Sequence, residues 1–367
     1  MEQTKSIPLE ILNQFAIDGA MISIEELKRG HINRTYLATW GKGRQRRRYV
    51  HQVVNHRIFQ DIDGLMRNLD IVTSTLQAKK ESGELRADEK TLTLIKAKSG
   101  ANYLQDEGGE YWRTFEYIEN TTTFDVCPNS NVARESAAIL GRFQRALIDL
   151  DARQFAETIP YFVDGHRRYE VFSEAVKSDA FKRVTTCREE IEFAAERADF
   201  GGSLIRAVRE GVVPARLSHN DMKLNNVLFS RDGARAVCLL DLDTCMSGTV
   251  LYDFGDLVRN TAVPCAEDEQ DLSKVVFDME LYRAICEGYL SEMGRALSGP
   301  ERELLALAPR NLALILGVRF LTDYLCGDTY FRIHRKAQNL ERSRTQFQIV
   351  RLMERLEDQM REVAQDR

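Results

Sequence analysis

The chain has 367 residues, 43% hydrophobic and 29% charged, enough for two or three compact units of ordinary globular composition. A net charge of −5 argues against a general nucleic-acid binder, and no run of about 18 apolar residues offers a membrane span. The start, Met1-Glu2-Gln3-Thr4-Lys5, lacks the basic-then-apolar pattern of a secretion signal, and seven scattered cysteines without a Cys-x-x-Cys pair fit reduced thiols in a cytoplasmic protein.

In chain order, Ile7, Leu9, Ile11, Leu12, Phe15 and Ala16 fall at helical spacing and predict a leading helix over 6–19. Residues 22–27 and 35–40 read as two strands joined by a loop at Gly30-His31-Ile32-Asn33. Residues 41–48 are polar and basic, a solvated hairpin tip, and 49–54 form the next strand. Apolar residues at 62, 65, 66, 69, 72 and 76 predict a helix over 62–77, on which Asp70 reads as a surface carboxylate. Residues 92–95 and 112–118 read as the last strands of this sheet, with Gly108-Gly109 as a turn. From Pro128 the pattern is mainly helical, over 132–150, 168–200, 202–210, 278–293, 301–325 and 340–363. Residues 312–325 are apolar enough to be buried, whereas 346–363 alternate charges densely and read as a solvated outer helix. The fold class expected is α+β, a small sheet-plus-helix lobe over 1–118 and a mainly helical lobe over 119–367.

The stretch 217–244 carries the chemistry. A polar loop (Ser218-His219-Asn220-Asp221-Met222-Lys223-Leu224-Asn225-Asn226) leads into an apolar strand, a turn and a second apolar strand that ends in Leu240-Asp241-Leu242-Asp243-Thr244. Magnesium takes hard oxygen ligands, and Asn226 and Asp241 offer them from adjacent segments. Asp221, five residues before Asn226, stands clear of such a metal and is suited to accept a proton from an attacking hydroxyl. This is the His-x-Asp-x-x-x-x-Asn pattern, followed by a strand-borne Asp, of protein-kinase-like phosphotransferases. Lys223 is placed to offset charge on a transferred phosphoryl group. Asp253-Phe254-Gly255 spells the metal-binding triplet of protein kinases but lacks the preceding strand; Asp253 and Asp256 read instead as an N-cap or a hydrogen-bonded brace under the loop.

On these motifs the chain resembles the aminoglycoside phosphotransferase and choline kinase superfamily, and more closely the bacterial N-acetylhexosamine 1-kinases. The resemblance is carried by residues 30–37, 65–68, 72–76, 218–228, 241–244, 253–256, 271–275, 319–325 and 327–331. It implies a bilobal protein-kinase-like fold and transfer of the ATP γ-phosphoryl, with Mg²⁺, to the anomeric hydroxyl of an N-acetylated hexose. Asp221 and Lys223 would be catalytic, with Asn226 and Asp241 on the metal. Gly30, Asn33, Gln52, Glu116 and Ile118 would meet the nucleotide, the last two as a hinge. His31, Asp241, Thr244, Arg319 and Tyr330 would meet the sugar. A monomer acting on a small molecule, without nucleic acid or membrane, suffices for this reading.

One departure stands out: Gln52 occupies the strand position where kinases present a lysine to the phosphates, with Arg48 and Lys223 as candidate substitutes. A salt bridge to Asp323 is the structural alternative for Arg319. Two other functions stay open, a kinase of another small hydroxyl acceptor (choline-, homoserine- or aminoglycoside-like) and a nucleotide-binding pseudokinase.

Overall fold

A computed structural model describes residues 8–27 and 32–365. The chain divides into two compact units, one reaching to Asn120 and taking in Ala156–Ile159, the other formed by Thr121–Phe155 and Pro160 onward.

The N-terminal unit is built on an antiparallel sheet of β1 (Ala20–Leu27), β2 (Arg34–Lys42), β3 (Gln45–Val54), β4 (Leu104–Gln105) and β5 (Tyr111–Glu116), in the order β1-β2-β3-β5-β4. Strand alternation puts Tyr36, Ala38 and Trp40 of β2 on one face with Tyr49 and Val53 of β3 and Trp112 of β5. Ile11, Leu12, Phe15 and Ile17 cover that face. The leading helix is therefore only one turn, Leu9–Leu12. Beyond it Ala16 N–H donates to Lys96 O and Phe15 bridges to Ala97, so the backbone pairs sideways and the apolar side chains form a strap. The 92–95 segment is likewise not a full strand: Leu94 makes a single bridge to Phe115.

The β2–β3 hairpin turns at Gly43, whose φ of 62° suits glycine. Its basic tip is solvated, with Arg44 and Arg47 exposed and Arg46 turned back on Gly43 O at 2.7 Å. The helix Ile62–Glu81 starts at an N-cap, Asp61, which accepts from Gly64 N–H at 2.8 Å, and buries Leu65, Met66, Leu69, Val72 and Leu76. Asp70 makes a surface pair with Lys96.

The C-terminal unit is mainly helical. Its strands are β6 (Thr121–Thr122), β7 (Arg216–Ser218), β8 (Val227–Ser230), β9 (Ala236–Leu239) and β10 (Met246–Gly248), forming a β6-β8-β9 sheet and a β7-β10 pair. The helix Ser130–Ala146 lies along Met279–Met293, and the two approach through glycine: a Cβ on Gly288 would stand 2.1 Å from Arg134 O. Ala308–Leu325 is buried on nearly all sides, as its apolar run predicts.

The C-terminal stretch departs from expectation. It forms two helices, Gln338–Arg355 and Glu357–Gln365, and the first is not an outer helix. Phe347, Ile349, Val350 and Met353 are buried, it packs along Ala308–Leu325, and Phe347 meets Phe193 at 4.8 Å between ring centres. Dense charge on one face hid an apolar stripe on the other. None of the seven cysteines forms a disulfide. No helix among the described residues is long and apolar enough to cross a membrane.

His51, buried in the N-terminal sheet, has a fixed tautomer. Trp40 Nε1 can only donate, and it donates to His51 Nε2 at 3.2 Å, so His51 Nδ1 carries the proton and donates to Thr114 Oγ1 at 2.7 Å. Burial holds the imidazole down to about 4. Because the folded value lies below the unfolded one, this stabilisation is complete above about pH 6.5 and is lost as pH falls toward 4. The loss should reach roughly 3 kcal/mol. Urea unfolding followed by Trp40 and Trp112, the two tryptophans of the chain, should show it, and a His51→Gln variant should lack that part of the pH slope.

Candidate active site

The loop 219–226 leaves β7 and enters β8. Bonds within the loop, such as Asn226 N–H to Lys223 O at 2.9 Å, are joined by contacts from beneath it. Asp253, in the first turn of the helix Val250–Thr261, is fully buried. It accepts His219 N–H at 2.9 Å on one oxygen and Asn220 N–H at 2.7 Å on the other. Gln144 Nε2 adds a third donor at 2.9 Å and is itself fixed by Tyr289 O–H at 2.7 Å. Burial pushes the Asp253 carboxyl above the usual carboxylate range, although His219 and the three donors act against it. A protonated carboxyl would bring a donor into a site that needs acceptors, so the assembled loop calls for the carboxylate. Asp253 is thus the brace expected from sequence, and the N-cap of its helix is Thr249. Asp256 pairs with Arg259 at 2.7 Å.

Asn220 adopts φ 63°, a left-handed conformation that costs a non-glycine residue energy. Its amide offsets that cost by donating to Ser218 O at 3.1 Å and Thr244 O at 3.0 Å. His219 Nε2 donates to Leu240 O at 2.8 Å, which orients the ring, and Thr244 Oγ1 donates to His219 O at 2.6 Å. Thr244 is buried and its hydroxyl is committed to the loop, so it shapes the site from within.

Asp221 is partly exposed and pairs with Lys223 Nζ at 2.8 Å. Burial alone would raise its carboxyl; the Lys223 ammonium, with lesser help from His219 and Arg259, holds it below the usual carboxylate range. Burial would likewise lower Lys223, but the carboxylates of Asp221, Asp256 and Glu267 keep it above its ordinary value. The pair is fully charged at neutral pH. Asn226 Nδ2 donates to Asp221 O at 2.9 Å, which leaves its amide oxygen as the end suited to a cation. Asn226 O accepts Leu240 N–H at 2.8 Å, so Asn226 and the end of β9 are tied together. Asp241 follows, exposed and left-handed at φ 57°. Two oxygen donors on tied segments, beside a free-standing carboxylate–ammonium pair, fit a magnesium ion that keeps waters and phosphate oxygens as its other ligands.

The structure places the remaining expected residues less uniformly. Gly30 and His31 lie outside the described residues. Asn33 Oδ1 accepts Asn55 N–H at 3.0 Å. Gln52 is held by its sheet neighbour: Arg113 Nε and Nη2 donate to Gln52 Oε1 at 3.0 and 2.8 Å, and Gln52 Nε2 donates to Thr35 Oγ1. A buried arginine therefore stands beside the position where a kinase strand has lysine, and nothing in local sequence singled it out. Arg48 is taken up by Glu119 and lies over the Tyr117 ring. At the expected hinge, Glu116 N–H donates to Thr93 O and Tyr117 N–H to Arg48 O; Ile118 follows directly.

Arg319 does not pair with Asp323. That carboxylate accepts the backbone N–H groups of Thr329, Tyr330 and Phe331 at 2.8–2.9 Å and the Asn339 amide at 2.8 Å. Arg319 lies instead among aromatic rings, 4.8 Å from Phe162, 5.4 Å from Phe331 and 5.8 Å from Tyr330.

Comparison with known proteins agrees with this architecture. An aminoglycoside phosphotransferase from Alicyclobacillus acidocaldarius superimposes with a TM-score of 0.64 at 14% identity, covering 98% of this chain and 97% of that one. A choline kinase from Cryptosporidium parvum gives 0.55 at 15%, covering 94% and 92%. Spectinomycin phosphotransferase, solved with ADP and spectinomycin, gives 0.51 at 11%, covering 95% and 98%. These identities speak for the α+β, protein-kinase-like fold. The family assignment comes from the sequence model of the Phosphotransferase enzyme family, which matches residues 23–297. With the loop 219–226 and the Asp241 strand end inside that match, the chain belongs to the Phosphotransferase enzyme family.

Proposed function

We propose that the chain is an ATP-dependent kinase that phosphorylates the anomeric (1-) hydroxyl of an N-acetylhexosamine such as N-acetylglucosamine or N-acetylgalactosamine. The observation that carries the phosphotransferase chemistry is the braced loop presenting an ionised Asp221 against Lys223 at 2.8 Å. The ADP bound by spectinomycin phosphotransferase, a structural relative, supports use of a nucleotide. The sugar as acceptor is supported by the resemblance of the Gly30–Asn33 and Arg319–Phe331 segments to the sugar kinases.

Asp221 orients the acceptor hydroxyl and takes its proton as the new P–O bond forms and the bond from the γ-phosphorus to the bridging oxygen breaks, with ADP as the leaving group. A carboxylate held below its usual range is a weak base, and the anomeric hydroxyl suits it because it is more acidic than an ordinary alcohol. Lys223 uses one N–H on Asp221 and has two left to offset charge on the transferred phosphoryl. Asn226 and Asp241 would hold magnesium, which would supply charge neutralisation at the phosphates. Asn33, Gln52 and the backbone at Glu116 and Ile118 serve the nucleotide, with Gly30. Arg319, Tyr330 and Asp241, with His31, serve the sugar. Most of the rate comes from alignment and fixed charge, since the protein forms no covalent intermediate.

Asp221→Asn should lower turnover at least about a hundredfold while nucleotide affinity stays within a few-fold. Turnover near that of the wild type would remove Asp221 from the reaction. Asp253→Ala strands two buried backbone N–H groups, at about 1–3 kcal/mol each, and should lower both the denaturation midpoint and kcat; Asp253→Asn, which keeps one acceptor, should fall between. The reading as a whole is tested by ADP release with a panel of N-acetylhexosamines, neutral hexoses, choline and aminoglycosides. Turnover confined to the amino alcohols or aminoglycosides would replace the sugar as acceptor.

A further inference from the structure

The C-terminal unit holds a second group of charges that phosphoryl transfer does not use. Arg168 lies on the helix Gly165–Ser178, and Arg319 on Ala308–Leu325. Both bind the same residue: Arg168 Nη2 donates to Phe162 O at 3.1 Å, and the Arg319 guanidinium lies 4.8 Å from the Phe162 ring centre. Phe331 and Tyr330 complete an aromatic wall around Arg319, and Tyr330, 51% exposed, brings that wall to the surface.

Neither cation has a carboxylate. Asp164 caps the Arg168 helix through Arg167 N–H and pairs with Arg209 at 2.5 Å. Asp323 is committed to the backbone of 329–331 and to Asn339. Among the described residues no carboxylate pairs with Arg168 or Arg319. The Arg168 Nε is buried and has no acceptor. Burial, and then the neighbouring Arg319 charge, push Arg168 down to about 10. Two adjacent guanidinium groups with an unmet buried donor are costly unless oxygens arrive to meet them.

The geometry points to a paired-arginine cage in the acceptor site, which receives carbonyl, hydroxyl or carboxylate oxygens and turns away ammonium groups. It rests on the reading that Arg319 and Tyr330 meet the acceptor, and it adds Arg168 and the sign of the selecting charge. An N-acylated amino sugar presents a neutral amide whose oxygen accepts hydrogen bonds; the free amino sugar presents a cation to two cations. The same repulsion acts on choline.

The test measures ADP release by wild type, Arg168→Gln and Arg168→Lys with N-acetylglucosamine, glucosamine and choline. In the wild type, kcat/KM for N-acetylglucosamine should exceed that for glucosamine at least about thirtyfold. Arg168→Gln should raise KM for N-acetylglucosamine about tenfold with kcat little changed, and narrow the preference; Arg168→Lys should restore most of it. Glucosamine or choline used as well as N-acetylglucosamine, or a preference untouched by Arg168→Gln, overturns the cage. Should Arg168→Gln fail to fold, Arg319→Gln takes its place with the same supporting and overturning results. If no sugar is turned over, the sugar reading fails by itself. The cage is then read from calorimetric titration with inorganic sulfate: binding by wild type but not by the glutamine variant upholds it, and no difference between the two overturns it.

Discussion

The arrangement of the loop 219–226 depends on one buried carboxylate. Asp253 takes the N–H groups of His219 and Asn220, one on each oxygen, and so fixes the two residues that precede Asp221. Without that anchor Asn220 has no compensation from below for its left-handed backbone, and the loop loses its defined path. The anchor is stiff because its support is layered: Tyr289 fixes Gln144, and Gln144 fixes Asp253. Those residues come from the helices Met279–Met293, Ser130–Ala146 and Val250–Thr261. The helical packing of the C-terminal unit is thereby converted into the position of a few loop atoms.

Charge is handled in two ways in the same unit. At the loop 219–226, opposite charges meet: Asp221 with Lys223, whose attraction keeps both ionised, and Asp256 with Arg259. Around Phe162 two like charges meet, with the nearby carboxylates used elsewhere. The first arrangement is complete within the protein and suits chemistry on an ion-rich nucleotide. The second is incomplete and suits a ligand that brings oxygens.

How much of this was legible in the sequence follows from the kind of interaction involved. The His219–Asn226 spacing and the Asp241 strand end are local, and local spacing survives in sequence; the bracing role of Asp253 is also as expected, although a short strand, β10, does precede its helix and pairs with β7. Long-range partners leave no such trace. Gln144 and Tyr289 sit in amphipathic helices like any others, and Arg113 is one strand residue among many. Arg168 opens a charged stretch that reads as a solvated face, though its Nε is buried. The leading helix was misjudged because apolar residues on a strap and on a helix share the same early spacing, and only the pairing of Ala16 with Lys96 separates them. Asp323, four residues after Arg319 on one helix, looked like its natural ion-pair partner. The backbone N–H groups of a following turn claimed it instead.

That claim has its own bearing on how such a protein diversifies. Asp323 grips 329–331 by main-chain amides, which every residue but proline possesses. The side chains there are therefore not needed for that grip, although the Phe331 ring packs against Phe320 at 4.6 Å between centres. Substitutions there, proline apart, keep the main-chain grip of Asp323 and leave the scaffold beneath as it was.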